Sequence, residues 1–413
     1  MVSLSDIRKA QINIQEVITE TECSLVENFS SQYRANIYFK REDLQVVRSY
    51  KIRGAYNRIK NLSPKILSKG IVCSSAGNHA QGVALACQKL NVNGLIFMPV
   101  TTPSQKIDRV QMFGGDKVKI ILKGDTYDDS YSFGMTSCKE RGATFIHPFN
   151  DPDVIAGQGT VGLEILSQTS QKIDYVFLPV GGGGLASGVA KVFKTLSPQT
   201  KIIGVEPKGA ASFSISKKTG KNTFLHSIDK FVDGAAVKQM GDLTFEICNS
   251  LIDEIVTIDE GAICECILKL YNENAMVVEP AGVLSIVAME HYKKKIAGKN
   301  IVCIVSGGNN DITRMEEIKE RSLLYLGLKH YFVVRFPQRS GALKEFVVDV
   351  LGPNDDITYF EYIKKNSRLK APAVVGIELK HKKDFEGLFI RMKNKGFMGE
   401  YLNEKPDLLS FII

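Results

Sequence analysis

From residue 36 to about 310, short apolar runs alternate with small-residue turns and helical stretches. NIYFKR, GIVCSS, GLIFMP, VKIIL, YVFLPVG, KIIGVEP, EIVTI and NIVCIVSGG are rich in β-branched residues and largely apolar along their length, as strands covered on both faces are. NHAQGVALACQKL, directly after one such run, and GLASGVAKVFKTL, after another, carry apolar residues at helical spacing. Strand, turn and helix repeated in this order predict parallel strands joined by crossover helices, an α/β architecture. In an open parallel sheet, ligands sit beyond the carboxyl ends of the strands, so the chemistry is expected in the loops that lead into helices.

Past residue 322 the rhythm changes. YFVVRFP, ITYFEYIKK, AVVGIELKH and LLSFII read as strands, and GALKEFVVDVLG and KDFEGLFIRMKNKG as helices. Their order, β-α-β-β-α-β in about 85 residues, is the ferredoxin-like order of an α+β domain. TRMEEIKERSLLYLG reads as the linking helix. The expected division is a catalytic domain over 1–322, with its smaller subdomain at about 45–150, and a second domain over 323–413.

The chain has 413 residues, more than one hydrophobic core usually organises. No apolar run reaches the roughly 18 to 20 residues of a membrane span, and the first residues show no secretory signal, so a cytoplasmic protein without a membrane partner is expected. The net charge of +8 is spread over scattered lysines, with YKKK the one short run, and nucleic acid is not expected as a partner. The eight cysteines form no CxxC pair, and most lie in apolar segments, as buried thiols do. Cys264 and Cys266, two apart on a predicted helix, point to different faces, and no metal site is expected there.

Four consecutive glycines, Gly181 to Gly184, lie between a buried-strand pattern and a helix. Such a run loses much backbone entropy and offers no packing, but lets several N–H groups converge on an anion at a helix N-terminus. A phosphate is the expected guest. The run lacks the Lys-Ser/Thr of a Walker loop and the spacing of a dinucleotide fingerprint, so ATP and NAD are disfavoured. SSAGNHAQGVA places Ser75, Gly77 and Asn78 at a second strand-to-helix junction, where free N–H groups can hold a carboxylate. CIVSGGNND places Ser306 and two glycines at a third. Lys51, in RSYKIRGAYNRI, stands at a helix start in a partly apolar setting that disfavours its charged form. One ligand accounts for all four: a phosphate-bearing aldehyde cofactor needs a Schiff-base lysine, an anion cradle, a donor for its ring oxygen and a partner for its ring nitrogen.

With EDLQVVRSYKIRGA, SSAGNHAQGVA, GGGGL and SGGNND in this order, the chain resembles the pyridoxal-phosphate threonine dehydratases over nearly its whole length. The resemblance implies fold type II, the tryptophan synthase β-like fold, with two three-layer α/β/α subdomains. It implies pyridoxal 5'-phosphate as cofactor, Lys51 as its Schiff-base residue and catalytic base, and Gly181, Gly182, Gly183, Gly184 and Leu185 around its phosphate. Asn78 would contact the ring hydroxyl and Ser306 the ring nitrogen, while Ser75, Ala76, Gly77 and His79 would hold the substrate carboxylate. Gly234 and Glu279 match segments that line the cofactor site in relatives. The implied reaction is dehydration and deamination of L-threonine to 2-oxobutanoate and ammonia, the first step of isoleucine biosynthesis.

The alternatives are an L-serine or broad hydroxyamino-acid dehydratase, a serine racemase-like enzyme, and a non-catalytic amino-acid sensor. Racemases of this fold carry a serine where Ala76 stands, and a sensor could discard Lys51. Relatives also carry a divalent-metal site after a VEP strand end; here Glu206 is kept but Ser212 replaces an expected carboxylate, so no metal is expected. The tail resembles an ACT-like regulatory domain in a single copy, with FPQRSGALKEF as its signature loop and Ser340 in place of a common proline. It implies isoleucine, and with it valine, as effectors, and a homo-oligomer, tetramer or dimer.

Overall fold

The computed structural model describes residues 2–362, 370–409 and 411–412. The chain forms two compact units, Met1–Asp311 and Ile312–Ile413, with the linking helix in the second.

The first unit begins with helix α1 (Leu4–Ile14), then strands β1 (Cys23–Leu25) and β2 (Asn36–Arg41), followed by α2 (Lys51–Lys60). The chain then builds a smaller sheet from β3 (Ile71–Ser74), β4 (Gly94–Met98), β5 (Val118–Leu122) and β6 (Thr144–Phe145). Helix α3 (Asn78–Leu90) follows β3, and α4 (Ser104–Gly114) follows β4. The sheet is parallel, in the order β5-β4-β3-β6. After α5 (Pro152–Gln168), the chain returns to a larger sheet with β7 (Tyr175–Pro179), α6 (Gly184–Leu196), β8 (Lys201–Pro207), β9 (Glu254–Ile258) and β10 (Asn300–Val305). Its order is β1-β2-β10-β7-β8-β9, parallel except for β1, an antiparallel edge paired with β2. The apolar runs of β3, β7, β8 and β10 are buried almost throughout, because helices cover both faces of such sheets.

Topology gathers the loops. The last strand of the unit, β10, lies between β2 and β7, so the loops after these three parallel strands open at one edge: the approach to Lys51, the Ser306 turn and the glycine run. A backbone bridge joins Ser49 to Gly307, and the Tyr50 N–H donates to the Ser306 carbonyl at 3.3 Å.

Helix α2 is set against α5 by close backbone approach. A Cβ on Gly157 would lie 2.5 Å from the Arg53 carbonyl oxygen, which leaves room only for glycine. Beneath that contact Arg53, fully buried, donates to Glu42 (Nε–Oε2 2.7 Å, Nη2–Oε1 2.8 Å) and to Glu164 (Nη1–Oε1 2.5 Å). Lys40 Nζ adds a bond to Glu164 at 2.6 Å, and the Thr21 hydroxyl one to Glu42 at 2.6 Å. Burial alone would raise the Glu42 carboxyl, but the charge and hydrogen bonds of Arg53 outweigh it and hold the group below the usual carboxylate range. A depressed folded pKa contributes stability above the unfolded pKa, so this contribution is present at neutral pH and is lost as acid protonates Glu42.

The second unit holds α7 (Met315–Leu326) and a sheet of β11 (Lys329–Pro337), β12 (Asp356–Tyr362), β13 (Lys370–Glu378) and β14 (Met398–Tyr401), in the order β12-β13-β11-β14, with α8 (Asp384–Asn394) before the last strand. Two expectations are corrected. The last strand is MGEY, not LLSFII: Pro406–Leu409 is a helical turn, and Ser410 and Ile413 lie outside the described residues. Met398 to Tyr401 pairs with β11 at Val334 to Phe332, and the predicted helix GALKEFVVDVLG is one α-turn, Ala342–Glu345, continued by a π-helical turn, Phe346–Val350. Of the strand ITYFEYIKK, Ile363 to Lys365 lie outside the described residues.

Arg53→Met removes one partner from a buried network, leaving Glu42 without its ion pair and Glu164 with Lys40 alone, so a loss of about 3–5 kcal/mol is expected. Lys60→Ala, which breaks the more exposed Lys60–Glu16 pair, should cost less than about 1 kcal/mol. Urea unfolding followed by circular dichroism makes the comparison; equal costs would remove the network as an anchor of α2.

Candidate active site

Lys51 is the first residue of α2, whose first turn carries no acidic side chain. Its amine donates to the Pro148 carbonyl at 3.2 Å and lies 5.4 Å from the Tyr50 ring centroid. Burial pulls its pKa down to about 8, against a smaller upward pull from Glu279. An ammonium at a helix N-terminus also meets the positive end of the helix dipole. The amine is thus a base and nucleophile near physiological pH.

The glycine run enters α6 with Gly183 as its N-cap, at φ +88°, a left-handed conformation that glycine adopts without strain. The first hydrogen bond into the helix is from the Ser187 N–H to the Gly183 carbonyl at 2.8 Å. The amides of Gly184, Leu185 and Ala186 therefore have no intrahelical acceptor, and the first turn carries no acid to occupy them. The glycines are also required by packing: a Cβ on Gly182 would lie 2.1 Å from Phe149 Cδ1, and one on Gly181 would lie 2.9 Å from Ala235 Cα. The Thr244 hydroxyl fixes the loop from below, donating to the Gly182 carbonyl at 2.6 Å. Leu185 has a buried side chain, so only its backbone faces the cradle.

Helix α3 begins in the same way. Gly77 is its N-cap without a side-chain cap, and the Gln81 N–H to Gly77 carbonyl bond, 3.3 Å, leaves the amides of Asn78, His79 and Ala80 without intrahelical acceptors. A Cβ on Gly77 would meet open space, as expected where a ligand approaches. The Ser75 hydroxyl accepts from the Gly77 N–H at 3.2 Å. His79 is buried and its Nε2–H donates to the Ile146 carbonyl at 2.9 Å; burial and the nearby Lys51 charge push its pKa down to about 3, so the ring is neutral and only its backbone amide faces a ligand. The Asn78 side-chain nitrogen donates to the Glu279 carboxylate, lying 2.8 and 3.0 Å from its two oxygens.

Glu279 closes the site. Its backbone N–H donates to the Gly307 carbonyl at 3.2 Å, and its carboxylate lies where a Cβ on Gly307 would be, 2.4 Å away. Burial, then the charge of Asp233, pushes its pKa up to about 7, against the Asn78 hydrogen bond. A circuit of contacts results: Lys51 to Pro148, Phe149 to Gly182, Gly181 to Ala235, Gly234 to Glu279, and Glu279 to both Asn78 and Gly307, which is bridged to Ser49 beside Lys51. The lysine, asparagine, glycine-run and Ser-Gly-Gly loops are all in it, and Ser306, buried, occupies the turn between Tyr50 and Gly307. The segment IHPFN, Ile146 to Asn150, was not singled out. It supplies the acceptors for His79 and Lys51, the Phe149 ring against Gly182 and its Cβ and backbone against Gly184, and, through Asn150 Oδ1, an acceptor for the Leu243 N–H at 3.1 Å. Its one signal is a Pro-Phe-Asn turn after a strand end, which is no more than a loop mark.

An amine without a carboxylate partner and an uncapped, glycine-lined helix start on one circuit fit a cofactor with an aldehyde at one end and a phosphate at the other. The Glu206 carboxylate is used differently: it accepts from the Phe213 and Ser214 N–H groups at 2.7 and 2.8 Å, capping the following helix, and burial pushes it up to about 7.

A family model described as "Pyridoxal-phosphate dependent enzyme" matches residues 14–307, and one described as "C-terminal regulatory domain of Threonine dehydratase" matches residues 320–412. The "L-threonine dehydratase biosynthetic IlvA" of Bacillus subtilis (strain 168) is 53% identical over 413 residues, covering 100% of this chain and 98% of that protein. Among solved structures, the processed form of threonine deaminase isoform 2 from Solanum lycopersicum matches with a TM-score of 0.73 and 42% identity, covering 78% of this chain and 96% of that one. Maize serine racemase matches with a TM-score of 0.72 and 33% identity, covering 78% and 98%.

In cofactor-free protein, an amine-selective reagent should modify Lys51 with a pH midpoint near 8, whereas surface lysines follow the usual value of about 10.4. Mass-spectrometric labelling across pH reads this directly; a Lys51 profile that coincides with those of the surface lysines would contradict the desolvated amine.

Proposed function

The chain belongs to the pyridoxal-phosphate-dependent enzymes, in their threonine dehydratase branch, and on that premise we propose how its own residues carry out the conversion of L-threonine to 2-oxobutanoate and ammonia. Pyridoxal phosphate, when bound, supplies an aldehyde for the substrate amine and a conjugated ring that takes up the electron pair left at Cα. Lys51 holds the aldehyde between turnovers and, once displaced by the substrate amine, takes the proton from Cα. An amine with a pKa of about 8 suits both tasks, and this lysine, desolvated and without a carboxylate partner, is the observation that carries the reading. The amides from Gly181 to Leu185 would hold the phosphate. Asn78 would donate to the ring oxygen and Ser306 would meet the ring nitrogen with a neutral hydroxyl, which does not keep such a nitrogen protonated as a carboxylate does. The Ser75 to His79 loop would hold the substrate carboxylate through the amides left free at the start of α3, with the methyl of Ala76 giving no acid on the face opposite Lys51. The β-hydroxyl would leave as water with one proton, matching the proton that Lys51 takes from Cα, and the enamine freed when Lys51 takes the aldehyde back would tautomerise and be hydrolysed to the keto acid and ammonia.

Purified protein should be yellow and release 2-oxobutanoate from threonine. Lys51→Ala should lose the visible band and roughly a thousandfold or more in kcat. Undiminished turnover by that variant would end the assignment.

For the second unit we propose regulation by isoleucine and valine, in a cytoplasmic homo-oligomer. The family model over 320–412 supports a regulatory role, and the π-helical turn at Phe346–Val350, right after the FPQRSGALKEF loop, is a local irregularity of the kind often found at functional sites. Activity titrated with each amino acid should respond in the full chain and not in a chain ending at Asp311; superimposable curves would reject the effector role.

A further inference from the structure

The sequence motif SGGNND extends beyond the residues used so far, and its Asn309 stands at the centre of a hydrogen-bond chain. Asn309 Nδ2 donates to the Val47 carbonyl at 2.8 Å and to Asn78 Oδ1 at 2.7 Å. Arg109 Nη1 donates to Asn309 Oδ1. Asn78 Nδ2 faces the Glu279 carboxylate, as described above. The chain joins α4 beside the smaller sheet, the loop after β10 of the larger sheet, the approach to Lys51, and the start of α3.

Amide side chains have two ends that differ only in chemistry, so orientation is set by partners. Here the far ends are unambiguous. A guanidinium can only donate and a backbone carbonyl can only accept, so Asn309 cannot turn over without setting its NH2 against Arg109 and its oxygen against the Val47 carbonyl. That in turn presents an N–H to Asn78, whose oxygen must face it and whose NH2 must face inward. Glu279 does not suffice for this. As an ionised carboxylate it demands the Asn78 NH2, but its pKa of about 7 gives it a protonated fraction at neutral pH, and a carboxylic acid can donate to a turned-over Asn78 oxygen.

We propose that Asn309, held by Arg109, is a positioning residue that keeps the donor end of the Asn78 amide turned toward the ring-oxygen side of the cofactor site, whatever the protonation state of Glu279. This rests on the role given to Asn78 under the proposed function. It deepens that reading by naming what fixes the side-chain donor to the ring oxygen.

The test is a double-mutant cycle on the holoenzyme with Asn78→Ala, Asn309→Ala and the pair together, reading the visible absorbance and emission of the bound cofactor alongside kcat and KM for threonine. Asn309→Ala should shift the visible band in the direction that Asn78→Ala does and lower kcat about tenfold with KM changed less than about twofold. In the Asn78→Ala background it should add nothing to either. Arg109→Gln should reproduce the shift in smaller measure, and it replaces Asn309→Ala in the cycle should that variant not fold. A wild-type spectrum for Asn309→Ala, or losses that multiply in the double variant, overturns the positioning role and leaves the reaction standing. Wild-type protein with neither visible band nor keto-acid product overturns both.

Discussion

One helix carries two cations under opposite rules, and the site depends on the difference. Lys51 and Arg53 are two positions apart on α2, about 200° around the axis, so they face different surroundings. Arg53 is buried with Glu42 and Glu164 on its guanidinium, and Lys40 completes the balance of two cations and two carboxylates. Lys51 donates to a carbonyl oxygen, and burial outweighs the pull of the Glu279 charge on it. A buried amine without a counter-charge loses its proton more readily, while a buried guanidinium can only be paired. The compensated charge anchors the helix, and the uncompensated one is left reactive at a fixed place.

The recognition surfaces are mostly backbone. Both anion cradles are helix starts whose amides lack acceptors, one capped by Gly183 and one by Gly77. A backbone cradle has few degrees of freedom to lose when an anion arrives, which is why its donors come from rigid strand-to-helix junctions rather than from lysine side chains. What fixes those junctions lies elsewhere: Thr244 beneath Gly182, Phe149 against Gly182 and Gly184, and Ser75 on the Gly77 amide.

Legibility in the sequence followed locality. Helices α3 and α6 run over NHAQGVALACQKL and GLASGVAKVFKTL as their apolar spacing predicts, and each is buried along most of its length, which is why both are so rich in small and apolar residues. The strands β3, β7, β8 and β10 were legible because parallel strands buried on both faces leave little room for polar residues. LLSFII was misleading for the same reason that it stood out: its apolar run is not tied to β11, whereas the weakly apolar MGEY is, with Gly399 lying so close to β11 that a Cβ there would sit 2.2 Å from the Val333 carbonyl oxygen. Pairing between distant segments decides such cases, and no window of sequence contains it. The IHPFN loop was hidden likewise, because what it gives His79 and Lys51 is backbone carbonyls, which every residue has.

Glu279 shows how the site stays receptive. A carboxylate near Lys51 would ordinarily claim the amine as an ion pair and repel both a phosphate and a substrate carboxylate. Burial pushes Glu279 up to about 7 and Lys51 down to about 8, so each is displaced toward its neutral form by the same shortage of water. The Asn78 amide opposes this at Glu279 by favouring the ionised form, with its nitrogen 2.8 and 3.0 Å from the two carboxylate oxygens. The carboxyl is therefore satisfied by neutral hydrogen bonds rather than by the lysine. Satisfying an acid with an amide instead of an amine leaves the amine free for chemistry, and it explains why the network around Asn78 is built from side chains while the cradles are built from backbone: only a side chain can be oriented to keep two oppositely charged groups apart.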